Sequence, residues 1–98
     1  MIRHVSALTW VADATDEQIR RIEEGLSRLP AEIPQLRSYV FGRDLGLADT
    51  NASFGVVADF DSVDDYLVYR DHPAHQHVFN ELIRPILAAR AAVQHELS

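Results

Sequence analysis

Two capped helix starts constrain this chain more than any other feature, because each follows a segment that alternates in polarity residue by residue. Thr15-Asp16-Glu17-Gln18 is a capping box, in which the threonine hydroxyl accepts a backbone N–H and Gln18 reaches back. Ser62-Val63-Asp64-Asp65 repeats the signature. Ahead of the first box, residues 2–11 read as a strand with His4, Ser6, Leu8 and Trp10 on one face and Arg3, Val5, Ala7, Thr9 and Val11 on the other. Ahead of the second, residues 52–60 alternate Phe54, Val56, Ala58 and Phe60 against Ser53, Gly55, Val57 and Asp59. The chain therefore contains two strand-then-helix units.

Ile19, Ile22, Leu26, Leu29 and Ile33 form an amphipathic stripe in the first helix, and Pro30 and Pro34 predict its end near Leu29. The second helix is expected to run to about His72. Residues 37–43 read as a strand, Leu45 to Asn51 as a turn-rich loop, and residues 89–97 as a last strand. In that strand Ala89, Ala91, Val93, His95 and Leu97 alternate with Arg90, Ala92, Gln94 and Glu96. The order strand, helix, strand, strand, broken helix, strand is the ferredoxin-like split βαβ plan. This is an α+β fold with a four-stranded antiparallel sheet and both helices on one face. Ninety-eight residues leave room for one core, so residues 1–98 read as a single domain. Both sheet faces carry apolar side chains and helices cover only one. A homodimer joined through the bare faces, a dimeric α/β barrel, is expected.

The net charge of −6, with nine scattered arginines and no lysine, argues against a nucleic-acid surface. Arg20-Arg21 reads as part of a solvated helix face. The absence of cysteine excludes disulfides, thiolate catalysis and cysteine-containing zinc sites, and fits a reducing cytoplasm. No apolar run approaches the roughly 20 residues that span a bilayer. Met-Ile-Arg-His, followed by alternation, lacks the charged start and continuous apolar core of a signal peptide, so none is expected. A cytoplasmic protein without membrane partners is expected.

Chemistry concentrates in Tyr69-Arg70-Asp71-His72-Pro73-Ala74-His75. Pro73 fits the first turn of a helix and disfavours helix at His72, so one helix ends there and another begins with His75 in its opening turn. His75, Phe79 and Leu82 then fall at i, i+4 and i+7 on an apolar face beside Val78. An imidazole can take a proton while its other nitrogen is held, and a phenol can donate to a carbonyl oxygen as enolate charge develops. His75 and Tyr69 thus have the parts for proton abstraction beside a carbonyl, with no cofactor. Equally, a Tyr–His or backbone hydrogen bond would satisfy two buried polar tips. If its strand face meets the helices, His4 joins them at the polar end of a cleft lined by His4, Leu8, Tyr69, His75 and Phe79. A histidine at the rim of the fold is the competing reading.

A metal site is not expected. A helix break separates His72 from His75, and His77 points about 160° away from His75. His77 and Glu81 read as an exposed pair. Asp59, Asp61, Asp64 and Asp65 are ascribed to helix capping and the helix dipole, and Trp10 to core or interface.

Ile2-Arg3-His4-Val5, Pro30-Ala31-Glu32-Ile33-Pro34, Gly42-Arg43-Asp44-Leu45, Val57-Ala58-Asp59-Phe60 and His72-Pro73-Ala74-His75 occur in an order that resembles the stress-responsive A/B barrel (Dabb) family, dimeric α+β barrels. The resemblance covers essentially the whole chain. The family includes a plant polyketide cyclase that closes a linear chain by intramolecular aldol chemistry. By resemblance its catalytic histidine falls on His75, its catalytic tyrosine on Tyr69 and an N-terminal histidine on His4. Another pocket histidine falls on Phe54, which departs from the pattern and puts the same substrate in doubt. The resemblance implies a small-molecule-binding homodimer, with cofactor-independent cyclase, lyase or isomerase chemistry on a carbonyl compound. A non-catalytic stress or stability protein is the alternative, and a dimeric-barrel monooxygenase a weaker one.

Overall fold

The computed structural model describes residues 1–97. Strand β1 (Ile2–Trp10) leads into helix α1 (Asp16–Glu32), then strands β2 (Ser38–Arg43) and β3 (Phe54–Phe60). Helices α2 (Val63–Asp71) and α3 (Pro73–His77) follow, continued by a π-helical turn (Val78–Ile83) and a 3-10 turn (Arg84–Ile86) into β4 (Leu87–Glu96). The sheet order is β2-β3-β1-β4 with every neighbouring pair antiparallel, the ferredoxin-like arrangement. Among the described residues no helix is long and apolar enough to cross a membrane.

Both caps form. Thr15 Oγ1 accepts the Gln18 N–H while Gln18 Oε1 accepts the Thr15 N–H, and Ser62 Oγ accepts the Asp65 N–H. Ile22, Leu26, Leu29 and Ile33 are buried against the helix-facing side of the sheet, where Leu8, Phe54, Val56, Ala58 and Phe60 are also buried. This packing explains one correction. α1 does not stop at Leu29 but carries Pro30 inside it to Glu32, and the Ile33 N–H bonds the Leu29 carbonyl. Burying Leu29 and Ile33 together outweighs the proline's lost hydrogen bond.

A second correction concerns the apolar face expected after Pro73. α3 passes at Val78 into the wider i→i+5 winding of a π turn, and Pro85 sits within the 3-10 turn beyond it. The wider turn replaces the expected His75, Phe79 and Leu82 face with His75, Phe79 and Ile83. Leu82 packs instead toward α1, where a Cβ on Gly25 would lie 3.3 Å from Leu82 Cδ1 and 3.1 Å from Val78 Cγ2. Gly25 permits this close approach. β4 correspondingly begins at Leu87, two residues before its expected start.

The acidic cluster also divides differently. Asp59 pairs with Arg3 at 2.8 Å and Asp61 with Arg37, while Asp64 and Asp65 stand in the first turn of α2. Arg20 and Arg21 both pair with Glu17 on the exposed face of α1.

The sheet face opposite the helices carries Val5, Ala7, Val40, Val57, Ala91 and Val93, with Gly42 opposite Gly55 on neighbouring strands. Val40 is 62% exposed and Val93 55% exposed.

Candidate functional site

The site grows from the helix break. Pro73 has no N–H to donate, and the Ala74 N–H is taken by His72 Nδ1 at 3.0 Å, so His72 caps α3. The Arg70 carbonyl, left without a helical donor, accepts two side-chain donors instead: His75 Nδ1 at 3.1 Å and Gln76 Nε2 at 2.6 Å. A carbonyl only accepts, so the ring proton of His75 lies on Nδ1 and the neutral ring keeps its lone pair on Nε2. Burial holds the His75 pKa below its ordinary 6.5, partly opposed by the Arg70 carbonyl bond, which keeps the ring neutral at neutral pH.

Tyr69 packs its ring against that of His75 rather than hydrogen-bonding to it, with the rings tilted by 40° and their centroids 4.3 Å apart. Its hydroxyl lies 2.9 Å from that of Tyr39 on β2. Burial pushes Tyr69 up to about 12 and raises Tyr39 further, so both phenols stay protonated. One hydroxyl donates to the other, which leaves one phenolic proton for a third partner.

His4 is buried and joins a chain of polar groups. Gln94 Nε2 donates to His4 Nδ1 at 2.8 Å, so His4 Nε2 carries the proton and donates to Ser6 Oγ at 3.1 Å. Ser6 retains its own hydroxyl proton to donate onward. Burial lowers the His4 pKa to about 4, with the charges of Arg90 and His75 adding to the shift.

These groups converge on a cleft of about 310 Å³ between the helix-facing side of the sheet and the α2–α3 break. His4, Leu8, Tyr69, His75 and Phe79 all line it. So do Ser6, Tyr66 and Arg90, which sequence reasoning did not single out. Ser6 was signalled by its shared strand face with His4, and Tyr66 by its i, i+3 relation to Tyr69. Arg90 had no signal, because which face of β4 meets the helices is a matter of pairing with β1. Phe54 lies outside the cleft wall, stacked on Phe41 at 6.2 Å and tilted against Trp10 at 5.7 Å. His77 is exposed.

The arrangement resembles known proteins throughout. The family model of the Stress Responsive A/B Barrel Domain (Dabb) matches residues 2–96. A dimeric ferredoxin-like protein of unknown function from Thermobifida fusca is 46% identical, with a TM-score of 0.90 over 98% of this chain and 90% of that one. A dimeric ferredoxin-like protein of unknown function from Bacteroides fragilis is 22% identical, with a TM-score of 0.87 over 98% and 95% of the two chains. The hydroxynitrile lyase of Passiflora edulis is 19% identical, with a TM-score of 0.86 over 99% and 93%. The last two share the fold. No curated protein matches the chain.

Proposed function

The chain belongs to the stress-responsive A/B barrel (Dabb) family, and from that premise we propose that it is a homodimer that binds a small organic molecule in the cleft between sheet and helices. The chemistry proposed there is cofactor-independent and acts on a carbonyl compound. His75 Nε2 removes the proton from the carbon beside the carbonyl, and the electron pair of the broken C–H bond moves into an enolate. The phenolic proton left over from the Tyr39–Tyr69 pair hydrogen-bonds the enolate oxygen. The observation that carries this reading is the bond from His75 Nδ1 to the Arg70 carbonyl, which leaves the basic nitrogen unprotonated on a cleft-lining ring. The same fold carries an enzyme, a hydroxynitrile lyase, in Passiflora edulis. The dimer is supported by the apolar uncovered sheet face and by the dimeric description of the Thermobifida protein.

A second reading, binding without turnover, draws on the Tyr39–Tyr69 hydrogen bond, which already uses one of the two phenolic protons at the cleft. Native mass spectrometry of protein purified without added ligand tests both readings. A retained small molecule, lost in His75→Gln, is expected. A dimer that retains nothing, and whose denatured extract contains no small molecule, would oppose both.

A further inference from the structure

We propose that the ligand of this cleft is an organic carboxylate with an aromatic or conjugated body, its charged end held by Arg90 and Arg84. This deepens the small-molecule reading above and rests on it.

The observation is an imbalance of charge. The chain has fifteen acidic side chains against nine arginines. Arg3, Arg20, Arg21, Arg37, Arg43 and Arg70 each pair with a carboxylate. Among the described residues, Arg28, Arg84 and Arg90 do not. Two of those three border the cleft, as does Arg70, and no aspartate or glutamate lines it. In an acidic protein whose other arginines nearly all find carboxylates, the cleft is the place where cations are left free.

The two arginines are also positioned. The Arg84 guanidinium lies 5.3 Å from the centre of the Phe79 ring, a cation–π contact that holds it beside the cleft. Arg90 stands opposite Leu8 in the β1–β4 register, on the same sheet face as His4 and Gln94. A guanidinium offers a carboxylate two parallel hydrogen bonds, a geometry that an ammonium does not match. Tyr66 and Phe79 supply aromatic walls for the rest of the ligand. At about 310 Å³ the space suits a compact molecule.

Chemical-shift titration of the ¹⁵N-labelled protein with benzoate, benzamide and inorganic phosphate tests the proposal. Benzoate should shift the amides of cleft residues, benzamide and phosphate much less, and Arg90→Gln should weaken benzoate about tenfold. Arg28→Gln, an unpaired arginine outside the cleft, should change nothing. Benzamide binding as well as benzoate would overturn the carboxylate assignment and leave the small-molecule reading standing. Phosphate binding as well as benzoate would reduce the site to a general anion site and also overturn it. If neither aromatic probe perturbs the cleft at millimolar concentration, both readings fall.

Discussion

The hydroxyls of Tyr39 and Tyr69 lie 2.9 Å apart and join β2 to α2 across the floor of the cleft. Thirty positions separate the two tyrosines, and their rings also meet edge to face at 5.9 Å. Removing either hydroxyl strands the other in a mostly buried place. Tyr39→Phe and Tyr69→Phe are each expected to cost about 1–3 kcal/mol. The double variant should lose less than the sum, because no orphan remains. Urea unfolding of the four proteins in the cycle measures the coupling, and strict additivity would deny the hydrogen bond an energetic role.

His75→Ala should behave differently. The Arg70 carbonyl that His75 contacts also accepts Gln76 Nε2, so deleting the imidazole leaves no unpaired acceptor. Its melting temperature should stay within about 5 °C of the parent, roughly 1 kcal/mol for a domain of this size, or rise. Ligand retention should be lost. A fall of about 10 °C or more, with no ligand ever found, would assign His75 to the fold alone.

Acid should destabilise the protein partly through His4. The unfolded chain binds a proton at His4 below about 6.5, whereas the folded ring takes one only near 4. The stability that the neutral ring contributes is therefore complete above 6.5 and is lost progressively as pH falls from 6.5 to about 4. Comparing melts of the parent and His4→Gln at about pH 7 and about pH 5 isolates this share. The variant should lose less stability over that interval. Equal losses would mean that His4 is not held neutral.

The bare sheet face sets the fourth expectation. Sedimentation equilibrium at micromolar concentration should give twice the 11.1 kDa chain mass. Val40→Glu or Val93→Glu, each placing a charge on that face, should shift the protein to monomer. A monomeric parent would remove the dimer from the proposal.

The order of strands and long helices, both helix caps and the division of each strand into two faces were legible in the amino-acid sequence alone. Those features are local: a cap needs four residues and alternation needs a few more, and both are written in contiguous chain. The break at Pro73, which puts His72 and His75 at a helix start, was legible for the same reason. Other features arise from contacts between distant segments, which no short window contains. Packing of Leu29 and Ile33 carried α1 through Pro30, and the π turn at Val78 exchanged Leu82 for Ile83 at the cleft. The Tyr39–Tyr69 pair required α2 to settle on the sheet within reach of β2. Arg90 and Gln94 reached the site only because antiparallel pairing set them opposite Leu8 and His4. Periodicity sorts side chains into two faces, but register and packing between distant segments decide which face becomes the wall of a cleft.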